Sequence, residues 1–174
     1  MNSTLFDTRT ELTRFISQDE LNKSSALKIL SKIFQEYLIL LQSPLGKTES
    51  KIERDKILCT ILSKYYGVDG KRYTKEDLSL LLDKTTERIR QLINGFIDLL
   101  KEVVADQSLE FKLKPEAAQK LNSVYNTILK FRVVSIKRFE YEVKKLIFVG
   151  DDDDDTLLNL LFDIYDIEIR SPHV

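Results

Sequence analysis

The spacing of apolar positions along this chain predicts a mainly helical protein. The strongest stripe lies between residues 86 and 104, where apolar side chains recur every three or four residues, as on one face of an α-helix. Thr85 directly precedes the stripe and is a favourable N-cap residue. The stripe therefore predicts one long amphipathic helix, whose apolar positions are Ile89, Leu92, Ile93, Phe96, Ile97, Leu100, Val103 and Val104.

A shorter helix is predicted just before the long one. Thr74 is a second N-cap candidate, and Asp77, three residues later, completes a pattern similar to a capping box. The predicted apolar face of this helix consists of Leu78, Leu81 and Leu82, and residues 83–84 interrupt the pattern. A short helix, a tight turn and a longer helix form the outline of a helix-turn-helix, whose second helix enters the DNA major groove.

The polar face of the long helix carries side chains suited to reading bases. Arg can make two hydrogen bonds to guanine and Gln can make two to adenine, whereas Glu can accept one from cytosine. Side chains four residues apart lie on one helix face, so these groups are expected to act together. The alternative is an ordinary solvated helix face, which is the norm for charged positions outside a core. The candidate residues are Thr85, Thr86, Glu87, Arg88, Arg90, Gln91 and Asn94.

Residues 52–104 resemble region four of the sigma-70 family of bacterial RNA polymerase sigma factors. That family shows an Arg-Glu-Arg-type helix ending in a Tyr-Gly-Leu turn, then a Thr-Leu-Glu-Glu-type short helix and a Thr-Arg-Glu-Arg-Ile-Arg-Gln recognition helix. The matching residues agree in order and spacing. They are Glu53, Arg54, Tyr66, Gly67, Val68, Asp69, Gly70, Thr74, Glu76, Leu78, Leu82, Thr85, Glu87, Arg88, Ile89, Arg90 and Gln91.

The resemblance implies that the domain reads an upstream promoter element and contacts the polymerase. Glu87 and Gln91 would then be base readers, and Arg88 and Arg90 would contact backbone or bases. The turn containing Lys71 and Arg72 would lie near the DNA backbone; without the resemblance it would be a solvated turn. The family usually has Arg where Thr86 stands, and an acidic residue where Ile93 stands.

The N-terminal part is predicted to be helical. The spacing from Leu12 to Ile16 suits a short helix, and Asp19 to Gln42 is predicted to be one longer helix with a wide apolar stripe. Ser43 to Ser50 contains Pro and Gly and is the clearest boundary. The next helix is predicted over Ile52 to Tyr66, with Gly67 ending it in a left-handed conformation.

The C-terminal part is predicted to mix helices and short strands. Ser108 to Leu113 alternates as a strand does, and Pro115 suits the first turn of a helix. Further helices are predicted after Ser135 and, with Thr156 as a cap, from Leu157 to Tyr165. A last strand is predicted at 167–169, which would give a winged-helix-like order.

These patterns predict three segments and one fold class. The segments are a helical N-terminal segment at 1–44, a sigma region 4-like helix-turn-helix domain at 51–104 and a small, winged-helix-like α+β part at 108–170. The fold class is therefore mainly α, with a helix-turn-helix core. The first fifty residues lack the aromatic and basic cluster with which a complete sigma factor binds the polymerase clamp, so a complete sigma factor is not expected.

Composition narrows the possible chemistry. The single cysteine, Cys59, and the single histidine, His173, exclude zinc sites built from several Cys or His residues and Ser-His-Asp triads. We expect no enzyme activity and no cofactor. Asp151 to Asp155 is a run of like charges without the pattern of a calcium loop, so metal binding is not expected there. The absence of a signal peptide and of a long apolar run predicts a cytoplasmic protein that does not enter a membrane.

Two functions remain as hypotheses. The first, and the leading one, is a transcription-associated protein that binds double-stranded DNA through residues 85–91 in the major groove. The second is a protein-interaction module that keeps the helix-turn-helix as a scaffold and contacts RNA polymerase or another partner through its N-terminal helix. The near-neutral balance of 27 basic and 28 acidic residues favours the second, because dedicated nucleic-acid binders are usually basic.

Overall fold

A computed structural model describes residues 7–129 and 156–167 of the chain. Its elements are β1 (Thr10–Glu11), α1 (Gln18–Lys23), α2 (Ala26–Gln42), α3 (Glu49–Tyr65), α4 (Lys75–Leu82), α5 (Thr86–Val104), β2 (Phe111–Lys112), α6 (Pro115–Leu129) and α7 (Leu158–Ile164). The predicted mainly helical class is confirmed. The predicted helix after Ser135, the acidic run and most of the predicted last strand lie outside the described residues.

A small parallel sheet joins the N-terminal strand to the strand that follows α5. Thr10 pairs with Phe111 and Glu11 pairs with Lys112. The backbone N–H of Leu12 also donates to Lys112 O at 3.0 Å. The predicted strand at 108–113 is therefore confirmed over two residues only. Its partner lies about a hundred positions away in the sequence, where local patterning gives no indication of pairing.

The main core lies between α2, α5, α6 and α7, with α3 at its side. Phe34 of α2 is fully buried and meets Tyr66 and Phe96 edge-on, with ring centroids 5.9 and 5.7 Å apart. Leu160 and Leu161 of α7 are also fully buried in this cluster. All three predicted segments thus contribute to one core, although the domain boundaries themselves stay predictions.

A second, smaller cluster holds α3, α4 and α5 together. Its buried members are Ile61, Leu78, Ile89 and Ile93. Fully burying a side chain of this size contributes about 1.5–3 kcal/mol, so this cluster stabilises the packing of α4 and α5 against α3. The prediction that Leu81 belongs to the buried face of α4 is wrong, because its side chain is 53% exposed.

Two helix predictions in the N-terminal part are wrong. Residues 12–15 form turns, because the buried Thr13 hydroxyl accepts a hydrogen bond from the distant Lys114 N–H at 2.8 Å. The predicted helix over 19–42 is divided into α1 and α2 at Ser24 and Ser25. Ser25 caps α2 by accepting from Lys28 N at 3.1 Å, and Ser24 takes an extended conformation that ends α1.

Three further helix limits depend on capping. Helix α3 begins at Glu49, earlier than predicted, because the Thr48 hydroxyl caps it. Gly67 has a φ of +72°, which confirms the left-handed end predicted after α3. The N-cap of α7 is Leu157 rather than Thr156, and no side-chain cap bond forms there.

Candidate nucleic-acid interface

The connection between α4 and α5 is fixed by caps on both sides. The Thr74 hydroxyl accepts from Asp77 N and the Asp77 carboxylate accepts from Thr74 N, both at 3.0 Å, which confirms the predicted capping box. Asp83 ends α4 in the left-handed conformation, with a φ of 52°. The Thr85 hydroxyl then accepts from Arg88 N at 3.1 Å and starts α5, as predicted. The connection between α4 and α5 therefore consists of three residues, Asp83, Lys84 and Thr85.

The predicted DNA-contacting residues of α5 all lie on its exposed face. Thr85, Thr86, Glu87, Arg88, Arg90, Gln91 and Asn94 are exposed. Ile89 and Ile93 lie on the opposite face and are 0% and 1% exposed. The first turn of α5 therefore presents polar side chains next to free backbone N–H groups, a combination that attracts anions.

Glu87 organises the first turn of this face. Arg90 Nε donates to Glu87 Oε2 at 2.9 Å, and Gln91 Nε2 donates to Glu87 Oε1 at 3.4 Å. The hydrogen bond from Arg90 lowers the pKa of Glu87, and the same bond raises the pKa of Arg90. Arg90 and Gln91 are thus both hydrogen-bonded to Glu87 in the free protein.

Arg88 and Asn94 occupy different settings. Within the described part of the chain, Arg88 has no carboxylate within ion-pair distance, so its charge is available to a ligand. Asn94 lines a cleft of about 550 Å³ between α5 and α7. Asn94 therefore borders both the polar face of α5 and the contact with α7.

The structure separates the two predicted contacts in the turn between α3 and α4. Lys71 is exposed, and its ammonium lies 5.1 Å from the centre of the Tyr73 ring. The Arg72 guanidinium instead points toward α7. With the Asn159 amide oxygen turned toward it, Arg72 donates from both terminal nitrogens at 2.6 and 3.1 Å. Lys71 is therefore directed at Tyr73 and Arg72 at α7, and among the described residues neither has a carboxylate within ion-pair distance.

Sequence reasoning missed two further cations at this corner. Lys64 Nζ lies 4.8 Å from the centre of the Tyr73 ring, and Lys75 Nζ lies 5.9 Å from that of Tyr65. The available signal was compositional, since residues 64–75 contain four basic and three tyrosine residues. Composition alone does not show that these side chains lie close together. The turn at Gly67 brings them together, because it places the end of α3 near the start of α4.

Helix α7 is bound to the back of this region by polar contacts. The hydroxyl of the fully buried Tyr66 donates to Asp163 Oδ2 at 3.1 Å, and Lys101 Nζ donates to Asp166 at 2.9 Å. Burial raises the pKa of the Asp163 carboxyl, although the Tyr66 hydrogen bond and nearby cations oppose the shift. The position of α7 thus depends on Tyr66, the residue that ends α3, and on Lys101 of α5.

Neither a metal site nor a membrane span is found among the described residues. Residues 7–129 and 156–167 contain no group of three His, Cys, Asp or Glu side chains arranged to hold a metal ion. No helix in those ranges has both the length and the apolar character needed to cross a bilayer. Comparison with protein-family models, curated proteins and solved structures finds no match to this chain.

Proposed function

We propose that this chain binds double-stranded DNA as a transcription-associated protein, with α4 and α5 acting as a helix-turn-helix and α5 lying in the major groove. The observation that carries the proposal is the division of α5 into two faces. Ile89 and Ile93 are packed against α3 and α4, which leaves the capped first turn and its polar side chains in solvent. In a helix-turn-helix, the same N-terminal residues of the second helix reach base edges.

The side-chain chemistry of that turn suits DNA. Arg88, which has no ion-pair partner among residues 7–129 and 156–167, supplies a positive charge for a phosphate. The start of α5 adds backbone N–H groups that favour anions. Arg90 and Gln91 have the paired hydrogen-bonding groups that recognise guanine and adenine. Glu87 holds both side chains on one face before DNA arrives, and it must exchange these bonds for contacts with bases when they bind.

The proposal is limited to residues 51–104. The predicted winged-helix arrangement is not part of the proposed interface, since β2 pairs in parallel with β1 from the N-terminal segment. The role of α7 in this proposal is to support α3 and α5 from behind.

The test measures binding of the protein to a random-sequence DNA duplex by fluorescence anisotropy, repeated over a series of salt concentrations. The double variant Arg88→Ala/Arg90→Ala should bind more weakly. The slope of log K against log salt should also fall by up to about 1.8, at about 0.9 per lost phosphate contact. Lys23→Gln/Lys28→Gln, on α1 and α2, removes the same charge elsewhere and should retain the wild-type slope. Equal slopes for the two double variants would show that Arg88 and Arg90 of α5 do not contact DNA phosphates.

One observation favours a second function, a protein-interaction module. Leu80 and Leu81 are neighbours on α4 and are 85% and 53% exposed. The apolar stripe of α2 is mostly buried in the core, but Ile39 of α2 is 58% exposed, so the predicted contact through the N-terminal helix stays a candidate beside the surface on α4. RNA polymerase remains the partner that the sigma resemblance implies.

A polymerase-binding experiment separates the two functions. An interaction module would show no duplex binding at low salt and would bind purified core RNA polymerase. That binding should be lost in Leu80→Ser/Leu81→Ser and retained in Arg88→Ala/Arg90→Ala. Duplex binding that depends on Arg88 and Arg90 would instead favour the DNA-binding proposal.

A further inference from the structure

The exposed face of α5 changes charge along the helix. Side chains four residues apart form one row on this face. The row consists of Arg90, Asn94, Asp98 and Glu102, all of which are exposed. Residues 86–94 contain two arginines and one glutamate, a net charge of +1, whereas residues 95–104 contain one lysine, one aspartate and one glutamate, a net charge of −1. The face therefore has a basic first half and an acidic second half.

The stability of the helix does not explain the two carboxylates of the second half. Glu102 lies in the last turn of α5, where the partial negative charge of the backbone carbonyls favours a cation. Asp98 and Glu102 are also like charges four residues apart, a pair that destabilises a helix. Among residues 7–129 and 156–167, neither carboxylate has an ion-pair partner. Both therefore cost the helix stability without a compensating ion pair in the described part of the chain.

Helix α7, which packs beside this half, brings no positive charge to it. Residues 156–167 contain two aspartates and no lysine or arginine. Both aspartates line the cleft of about 550 Å³ between α5 and α7, as do Asp98 and Lys101. Lys101 Nζ donates to Asp166 at 2.9 Å, and two cations near the start of α4 partly offset Asp163. The lysine of the second half is thus directed at α7 rather than at Asp98.

We propose that Asp98 and Glu102 form a repulsive element, which keeps the second half of α5 away from DNA phosphates and so determines how the helix enters the groove. The inference rests on the proposed function and adds these two residues to it. The arginines and the positive N-terminal end of the helix dipole attract phosphates, whereas the two carboxylates repel them. An approach with the N-terminal turn foremost places each half in its favourable surroundings. A complex in which α5 lies across the backbone, as non-specific binding allows, places phosphates beside the carboxylates and is disfavoured.

The size of the effect depends on distance and salt. Arg90 and Asp98 are eight positions apart, about 12 Å along the helix. This distance exceeds the Debye length of about 8 Å at physiological ionic strength, so the carboxylates do not cancel the attraction of the arginines there. For a phosphate about 10 Å away in water, each carboxylate weakens binding by about a factor of two when screening is slight. Removing both should therefore strengthen duplex binding about fourfold at low salt, and by less as the salt concentration rises.

The experiment measures the affinity of double variants for a random-sequence duplex by fluorescence anisotropy, at about 0.01 M and about 0.15 M salt. The acidic-half variant is Asp98→Asn/Glu102→Gln. It relieves repulsion within α5, so it should unfold at no lower temperature than the wild type. The matched control is Glu49→Gln/Glu53→Gln on α3, because these exposed glutamates have the same spacing and no ion-pair partner among the described residues. We expect about fourfold tighter binding by the acidic-half variant at low salt, and a much smaller change in the control.

Amide chemical shifts in NMR spectra of labelled protein show which half of α5 the duplex approaches. In the wild type, the shifts caused by the duplex should be confined to residues 85–94. In the acidic-half variant they should extend to residues 95–102, because phosphates are no longer repelled there. Wild-type shifts that are as large in the second half as in the first would overturn the inference.

A third variant, Arg88→Ala/Arg90→Ala, separates the two proposals. Weaker binding by this variant, beside equal affinities of the acidic-half and control variants, would overturn the repulsive element and leave the α5 interface intact. Tighter binding by the acidic-half variant alone, with no effect of the arginine substitutions, would support the repulsion and overturn the arginine contacts. Duplex binding by the acidic-half variant and not by the wild type would also support the repulsion. No duplex binding by any of these proteins would overturn both proposals.

Discussion

Replacing Lys47 should destabilise the fold, because its ammonium fills a built site between α2 and α3. Its three protons have three acceptors, namely the carbonyls of Leu40 and Leu41 at 2.8 and 3.1 Å and the Asp55 carboxylate at 2.7 Å. The side chains of Lys47 and Asp55 are 14% and 7% exposed. Lys51 also contacts Asp55, at 3.1 Å, but its side chain is 52% exposed.

The variant Lys47→Met keeps the aliphatic stem and removes the charge. Breaking a buried ion pair on one side costs about 3–5 kcal/mol. Lys51 still partners Asp55, so we expect the lower end, about 3 kcal/mol, in the free energy of unfolding. At a urea m-value of about 2 kcal/mol/M, the midpoint should fall by about 1.5 M. Urea titration by far-ultraviolet circular dichroism measures this shift.

The matched control is Lys51→Met, which removes the exposed partner of the same carboxylate. Exposed pairs contribute about 0–1 kcal/mol, so its midpoint should change little. If the two variants lose equal stability, the reasoning from burial is refuted. A double variant, Lys47→Met/Asp55→Ala, should lose less than the sum of its single variants, because no unpaired charge then remains.

The same pair predicts a pH dependence. Burial alone would raise the pKa of Asp55, but hydrogen bonds from Lys47 and Lys51 outweigh it and lower the pKa below the usual value. A lowered carboxyl pKa means that the unfolded state binds protons more readily than the folded state. Its stabilising contribution is therefore complete above about pH 4, the unfolded-state value, and is lost as the pH falls toward the folded value. The difference in stability between wild type and Lys47→Met should shrink on acidification.

Two further predictions concern α5 and the turn between α3 and α4. Glu87→Gln removes the carboxylate that competes with DNA for Arg90, so duplex affinity at low salt should rise; unchanged affinity would show that Glu87 does not restrain Arg90. Gly67→Ala should cost more stability than Gly46→Ala in thermal unfolding. Both glycines have a φ near +70°, but a Cβ at Gly67 would lie 2.5 Å from Arg72 Cγ, whereas a Cβ at Gly46 has open space. Equal losses would mean that Arg72 moves aside freely.

Local patterns were sufficient where a helix end depends on its own neighbours. Thr74 with Asp77, Thr85 and Gly67 were predicted from sequence, and each takes the predicted role. A cap needs only a hydroxyl or carboxylate within a few residues of free backbone N–H groups, so the information is local. The solvent-facing side of α5 was predictable for the same reason, since helical spacing places residues on faces.

Predictions from local sequence patterns were wrong where a contact with a residue distant in the sequence determines the structure. Thr13 was predicted to lie in a helix, but its hydroxyl bonds to Lys114 N and the chain turns there instead. Leu81 has the spacing of a buried residue, yet no element among the described residues covers it sufficiently to bury it. Neither the Thr13–Lys114 bond nor the exposure of Leu81 can be inferred from periodicity, because periodicity shows which face of a helix is apolar and not what packs against that face.

The sequence by itself determined the helical class, the caps that fix α4 and α5, and the polar side chains on the first turn of α5. The tertiary structure decided where each of the predicted cations is directed. Arg72 follows Lys71 directly in the sequence, yet its guanidinium lies beside Asn159 on α7 and donates to it when the Asn159 amide oxygen faces Arg72, whereas Lys71 joins Lys64 beside Tyr73. The reason is that charge follows from composition, whereas the availability of a charge depends on neighbours that only folding brings within hydrogen-bonding distance.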